Sequence, residues 1–71
     1  MIRGMVNGLS ERLTSEGGSP EEWARLINAL GVLGETERAA EAFALAKVAH
    51  GTHPPALATI RAAARNAGVV E

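Results

Sequence analysis

The segment from Ser19 to Ala46, SPEEWARLINALGVLGETERAAEAFALA, decides the fold. Its apolar residues recur every three or four positions, and the pair Leu33-Gly34 divides them into two runs. This spacing places apolar side chains on one face of a helix, and a glycine just after the last of them is typical of a helix end. The segment therefore predicts two helices joined by a short turn.

The first of these two helices has a complete start signal. Ser19 is predicted to be its N-cap, Pro20 occupies the first helical position, and Glu22 completes a capping box. The second of the two helices is predicted to begin at a Thr36 cap. Their predicted buried faces are Trp23, Leu26, Ile27, Leu30 and Leu33 in one helix, and Ala39, Ala40, Ala42, Phe43, Ala46 and Ala49 in the other.

Two more helices are predicted outside this segment. An N-terminal helix runs to a break at 15–19, and a C-terminal helix lies between the break at 51–55 and Gly68. Their apolar residues are Ile2, Met5, Val6, Leu9 and Leu13 in the first, and Leu57, Ile60, Ala64 and Ala67 in the second. Because the connections are short, the expected fold is all-α, with four short helices whose neighbours run antiparallel.

Composition excludes several classes of function. The 71 residues form one small domain, and a net charge of −1 provides no general attraction for nucleic acid. Arg61 and Arg65, on one face of the last helix, are read as a solvated pair rather than as a DNA contact of a helix-turn-helix. The chain has no Cys, and no apolar run approaches the roughly 20 residues of a membrane span, so this segment is not expected to insert into a membrane.

The chain resembles itself when it is shifted by 34 residues, which places Pro20 on Pro54. The same shift places Trp23 on Leu57, Ala24 on Ala58, Leu26 on Ile60, Ala29 on Ala63 and Gly34 on Gly68. A weaker match of Leu9 with Phe43 makes the first helix a copy of the third. The predicted order is therefore half a repeat, one full repeat and another half.

This period resembles that of the tetratricopeptide (TPR) repeat, as do Trp23 with Leu26, the Leu33-Gly34 pair and Ala39 with Phe43. The resemblance implies a TPR-like superhelical stack, with Trp23 and Phe43 in the core. Three residues depart from the pattern, because Ile27 replaces a Gly or Ala, Leu30 a Tyr and Gly51 a Pro.

A narrower resemblance covers almost the whole chain. The opening MIRGMVNGLSERL and the later EEWARLINALGVLGETERAAEAF are similar to the C-terminal TPR region of c-type cytochrome biogenesis proteins of the CycH type. This resemblance implies that residues 1–71 belong to a longer anchored protein and lie on the periplasmic side of the bacterial inner membrane. It also implies a function, which is to hold apocytochrome c for haem attachment, together with other cytochrome assembly subunits.

The TPR resemblance also implies a groove for a peptide, formed by the inner faces of the second and fourth helices. Mostly small residues would let a helix or an extended peptide approach closely, while Asn28 or Arg65 fixes its orientation. The alternative is that the small residues only allow the two helices to pack together. The groove residues are Glu21, Ala24, Asn28, Gly31, Val32, Pro55, Ala58, Ala62, Arg65 and Asn66.

No cofactor, metal site or enzymatic activity is expected. His50 and His53 are three residues apart, but Gly51 separates them, and two ligands without a nearby carboxylate are too few for a metal. The expected roles of these two residues are structural, at the end of the third helix and the start of the fourth. The serines and threonines show no spacing with a His and an acid that would indicate catalysis.

A second hypothesis is a scaffold that self-associates as a homo-oligomer or docks to other assembly subunits. Incomplete repeats leave apolar surface at the two ends of the stack. The candidate residues for such contacts are Val69 and Val70 at one end, and Ile2 and Met5 at the other.

Overall fold

The structure is a computed structural model that describes residues 2–69, with side-chain environments from residue 4 onward. Four α-helices make up its regular structure: α1 (Ile2–Glu16), α2 (Pro20–Val32), α3 (Thr36–Ala49) and α4 (Pro54–Asn66). Within residues 2–69 there is no β-strand. The predicted all-α class, the number of helices and their approximate bounds are confirmed.

The start of α2 is the predicted capping box. The Ser19 hydroxyl accepts a hydrogen bond from the backbone N–H of Glu22 at 3.2 Å, and the Glu22 carboxylate accepts one from the backbone N–H of Ser19 at 3.2 Å. The predicted cap of α3 is wrong, because Glu35 is the N-cap and Thr36 is already helical. The backbone N–H of Glu35 bonds to the Leu30 carbonyl at 2.9 Å, so the end of α2 leads directly into α3.

The two glycines matched by the sequence repeat end their helices in the same way. Gly34 has φ of +76° and Gly68 has φ of +82°, a left-handed conformation that glycine adopts without strain. Each helix then closes with a bond from the following residue, from Glu35 N–H to Leu30 O at 2.9 Å and from Val69 N–H to Ala64 O at 2.8 Å. The shift that relates the two glycines also relates both partners of these bonds, so the sequence repeat is a repeat of backbone geometry.

Alternate helices run in the same direction. The Asn7 carboxamide oxygen of α1 accepts a hydrogen bond from Arg38 near the start of α3, at 3.1 Å. At the other end of the same pair, Gly17 and Val48 line one hollow. Helix α2 packs against all three other helices, and its most extensive contacts are with α4 and α3. The core is therefore built around α2.

Helix α2 contributes Trp23, Leu26, Ile27 and Leu30 to this core, and the predicted burial of both aromatic residues is confirmed. The other buried side chains are Val6, Leu13, Ala39, Ala42, Phe43, Ala46, Ile60, Ala63, Ala64 and Val69. The predictions for Ala40 and Ala49 are wrong, since both are exposed. The buried residues of α3, which are Ala39, Ala42, Phe43 and Ala46, form a narrow stripe along one face of the helix. Ala40 lies about 100° around the helix from Ala39, outside this stripe.

The proposed contact surface at the two chain ends is only partly exposed. Val69 is buried at 9% relative exposure, because its backbone N–H is tied to α4 and its side chain joins the core. The interpretation of Val69 as bare apolar surface is therefore wrong. Met5 is exposed, whereas the side chain of Ile2 and the whole of Val70 lie outside the described residues.

Candidate functional site

The predicted groove residues lie on α2 and α4, on the sides of the two helices that face away from the core. Eight of the ten are exposed, whereas Ala24 and Gly31 are half-buried. On α2, Asn28 and Val32 lie on the opposite side of the helix from Trp23 and Leu26 because successive residues advance by about 100°. The exposed eight are Glu21, Asn28, Val32, Pro55, Ala58, Ala62, Arg65 and Asn66.

Helices α2 and α4 run in the same direction and approach each other at both ends. At the N-terminal ends, Glu21 and Pro55 line a common hollow of about 530 Å³. At the C-terminal ends, Gly31 lies against Ala67. The remaining lining residues of the hollow are Pro20, His50, His53, Ala56 and Thr59.

Gly31 is a packing residue between α2 and α4. A Cβ atom built on it would lie 2.6 Å from the Cα of Ala67 and 2.7 Å from the Ala67 Cβ, well inside van der Waals contact. Only glycine allows this approach without moving one of the helices. At this position the small residue serves the packing of the two helices, as the alternative reading of the groove states.

Both histidines lie at helix ends. His50 is the C-cap of α3, and its Nε2 is 2.9 Å from the Gly18 carbonyl oxygen, a geometry in which Nε2–H donates. His53 is the N-cap of α4 without a side-chain cap bond, and its Nδ1 is 3.2 Å from the Thr52 hydroxyl. Within residues 2–69 no group of three or more His, Asp or Glu side chains is placed to hold a metal ion.

A second surface, not predicted from the sequence, lies between α1 and α3. We call it the α1/α3 cleft. It consists of two hollows of about 210 Å³ each, which share Thr14, Trp23 and Leu45. One hollow continues toward Ser10, Leu26, Leu30, Arg38, Glu41 and Ala42, and the other toward Leu13, Gly17, Val48 and Ala49.

The α1/α3 cleft has an exposed apolar wall and a buried polar atom. Leu45 and Val48, on α3, are 47% and 85% exposed. Trp23 is only 2% exposed, and its indole Nε1 has no hydrogen-bond partner among the described residues. The sequence signal for the wall was the pair Leu45 and Val48, which lie three residues apart and outside the Ala and Phe stripe of α3.

The chain matches no protein-family model, no curated protein and no solved structure. The resemblance to the TPR repeat therefore rests on the sequence alone. Over the described residues, none of the four helices has both the length and the apolar character of a membrane span.

Proposed function

We propose that this domain is a protein-binding module of the TPR type, which binds a peptide segment across α2 and α4. The observation that carries the proposal is the repetition of α2 as α4, with the same helix ending and the same direction. Two parallel copies present their exposed faces side by side, as the first helices of successive TPR repeats do. The order of half repeat, full repeat and half repeat is part of this proposal.

The chemistry of the exposed faces supports a peptide ligand. Ala58 and Ala62 are exposed in the middle of α4 and let a peptide backbone approach closely. Asn28 and Arg65 are exposed and offer hydrogen bonds that fix the orientation of the peptide. Two helices give a small contact area, so we expect weak binding by this domain alone.

Apocytochrome c is the client we propose, since the sequence resembles the CycH-type biogenesis proteins. In this proposal the domain is the periplasmic part of a longer anchored protein and holds the apocytochrome polypeptide for haem attachment, beside other cytochrome assembly subunits. The domain itself needs no cofactor for this function, since it acts only by binding a polypeptide.

The test is a titration of the ¹⁵N-labelled domain with overlapping peptides that cover a c-type apocytochrome. We expect saturable shifts at the backbone amides of Asn28 and Arg65 with at least one peptide. Ala62→Phe places a large side chain in the groove and should weaken this binding. The matched control is Ala40→Phe, at an exposed alanine of α3 outside both the groove and the α1/α3 cleft.

Two results would overturn the proposal. One is the absence of shifts at Asn28 and Arg65 with every peptide of the set. The other is equal weakening by Ala62→Phe and Ala40→Phe, because a groove on α2 and α4 cannot depend on a residue of α3.

A further inference from the structure

The α1/α3 cleft contains a donor without an acceptor, on the side of α2 that the proposed peptide groove does not use. The indole Nε1–H of Trp23 is buried, and no described residue accepts a hydrogen bond from it. Leaving a buried N–H unpaired is unfavourable, and such groups in native proteins are uncommon. An acceptor supplied by a ligand in the cleft would satisfy this donor.

The size of the cleft limits what it can bind. Each of its two hollows is about 210 Å³, below the roughly 300 Å³ at which cofactor and drug-sized pockets begin. The hollows meet at Trp23, and their lining residues are offset by about 4 Å along α1 and about 9 Å along α3 at ~1.5 Å per residue. Each is suited to one apolar side chain, and the ~6.6 Å between residues i and i+2 of an extended chain lies between these two offsets.

The polar groups of the cleft favour a neutral peptide backbone as the ligand. Ser10 and Thr14 on α1 offer hydroxyl groups, which both donate and accept. On the opposite wall, Arg38 and Glu41 carry opposite charges that sum to zero. A backbone presents N–H and C=O groups without net charge, so it complements this mixed lining better than a carboxylate or an ammonium group does.

The unpaired N–H selects the conformation of that peptide. In a helix the backbone carbonyls are already bonded within the helix, so a docked helix offers few acceptors along its length. An extended segment keeps its carbonyls free. An extended peptide can therefore place side chains in both hollows and still offer an acceptor to the indole.

We propose that the α1/α3 cleft binds an extended, uncharged segment of a partner protein. Two apolar side chains, two residues apart, fill the hollows, and a backbone carbonyl accepts the hydrogen bond from Trp23 Nε1–H. Because Trp23 Nε1 is buried, a side chain at the rim must move to admit the carbonyl, and Leu45, which lines both hollows with Trp23, is 47% exposed there. This site is distinct from the groove on α2 and α4 and does not depend on it.

The test uses the only Trp of the chain, whose indole N–H gives a single resonance. The ¹⁵N-labelled domain is titrated with the capped peptide acetyl-GTLTLTG-amide, in which two leucines are two residues apart. The control acetyl-GTTLLTG-amide has the same composition with adjacent leucines, which point to opposite sides of an extended chain. We expect the first peptide to move the indole resonance downfield in a saturable way, and the control to bind at least several-fold more weakly.

Two matched variants locate the effect. Val48 and Met5 are 85% and 62% exposed on helices, but only Val48 lines the α1/α3 cleft. Val48→Ala should weaken binding of acetyl-GTLTLTG-amide several-fold, and Met5→Ala should not. Trp23→Phe removes the donor together with the indole reporter, so binding by this variant is followed at the backbone amide of Val48. It should be weaker by about 3- to 10-fold, as expected for one hydrogen bond.

Several outcomes would overturn the proposal. These are an unmoved indole resonance at saturating peptide, equal binding of both peptides, or equal effects of Val48→Ala and Met5→Ala. An indole resonance that depends on protein concentration without peptide would assign the cleft to a second copy of the chain. Shifts confined to Asn28 and Arg65 would count against the cleft while supporting the groove, so the two proposals fail separately.

Discussion

Helices α2 and α4 have the same backbone pattern but occupy different places in the molecule. Both helices begin with a proline, and each is followed by a glycine in the left-handed conformation and by equivalent closing hydrogen bonds. Helix α2 is covered by all three other helices, whereas α4 packs on α2 and α3 at the edge. The shared pattern sets the course of the backbone, and the residues that differ determine how much of each helix is buried.

The clearest difference is at the position of Ile27. This side chain is 0% exposed in the core, while its equivalent in the second copy of the repeat is Arg61, which is exposed. A covered position favours an apolar residue, whereas an exposed one accommodates a charged side chain. Arg61 therefore fits the position of α4 at the edge of the described structure.

The largest expected effect comes from truncating these two equivalent residues. Ile27→Ala should lower the free energy of unfolding by about 2–5 kcal/mol, because it removes buried methyl groups and leaves a cavity. Arg61→Ala should change it by about 0.5 kcal/mol at most, as is usual for an exposed side chain. Urea denaturation followed by circular dichroism measures both values.

If Ile27→Ala does not fold, Ile27→Val gives the same comparison at a smaller scale, with a loss of about 0.5–1.5 kcal/mol. Equal costs at the two positions would mean that α4 is covered as completely as α2. The position of α4 at the edge of the described structure would then be wrong.

A smaller effect is expected where α2 and α4 touch. Gly31→Ala places a methyl group 2.6 Å from the Cα of Ala67 and should cost about 1–2 kcal/mol net, since overpacking outweighs the better helix propensity of Ala. The matched control is Gly8→Ala in α1, where nothing lies within 4 Å and Ala should gain about 0.5–1 kcal/mol. Thermal and urea unfolding of the two variants should therefore shift in opposite directions.

The same comparison tests the repeat itself. The equivalent of Gly31 in α4 is Arg65, which is exposed among residues 2–69. If Gly31→Ala stabilised the domain as much as Gly8→Ala, the close approach of α2 and α4 would be excluded. The side-by-side arrangement on which the proposed groove depends would then be lost.

Local signals allowed most of the fold to be predicted. The capping box at Ser19, the glycines at 34 and 68 and the burial of Trp23 follow from spacing within one helix or from one turn. Each of these features depends on residues only a few positions away, so it can be predicted from the sequence. The cap of α3 was missed because Glu35 is already engaged by the end of α2.

The features that depend on how helices meet were less accessible. The α1/α3 cleft lies beside Trp23, between two helices that are far apart in the sequence. Their hydrogen-bonded residues, Asn7 and Arg38, are 31 positions apart. The spacing of apolar residues in either helix does not indicate this space. Likewise, the sequence repeat aligned Ala24 of α2 with Ala58 of α4 but did not show that Ala24 is half-buried and Ala58 exposed.

The smallest expected effect concerns the starts of the two helices. Ser19→Ala removes the capping box of α2 and should cost about 1 kcal/mol, whereas His53→Ala removes no side-chain cap bond and should change stability by about 0.5 kcal/mol at most.

The double change His53→Ser with Ala56→Glu copies the capping box onto α4 and should gain about 0.5–1 kcal/mol. Chemical denaturation gives the free energies, and hydrogen exchange of the amides in the first turn of α4 shows whether the gain is local. If the double variant gains no stability, the start of α4 is already satisfied by its two prolines, which have no N–H to cap. Helices α2 and α4 would then deal with the unpaired N–H groups of their first turns in different ways, by a capping box in α2 and by prolines in α4.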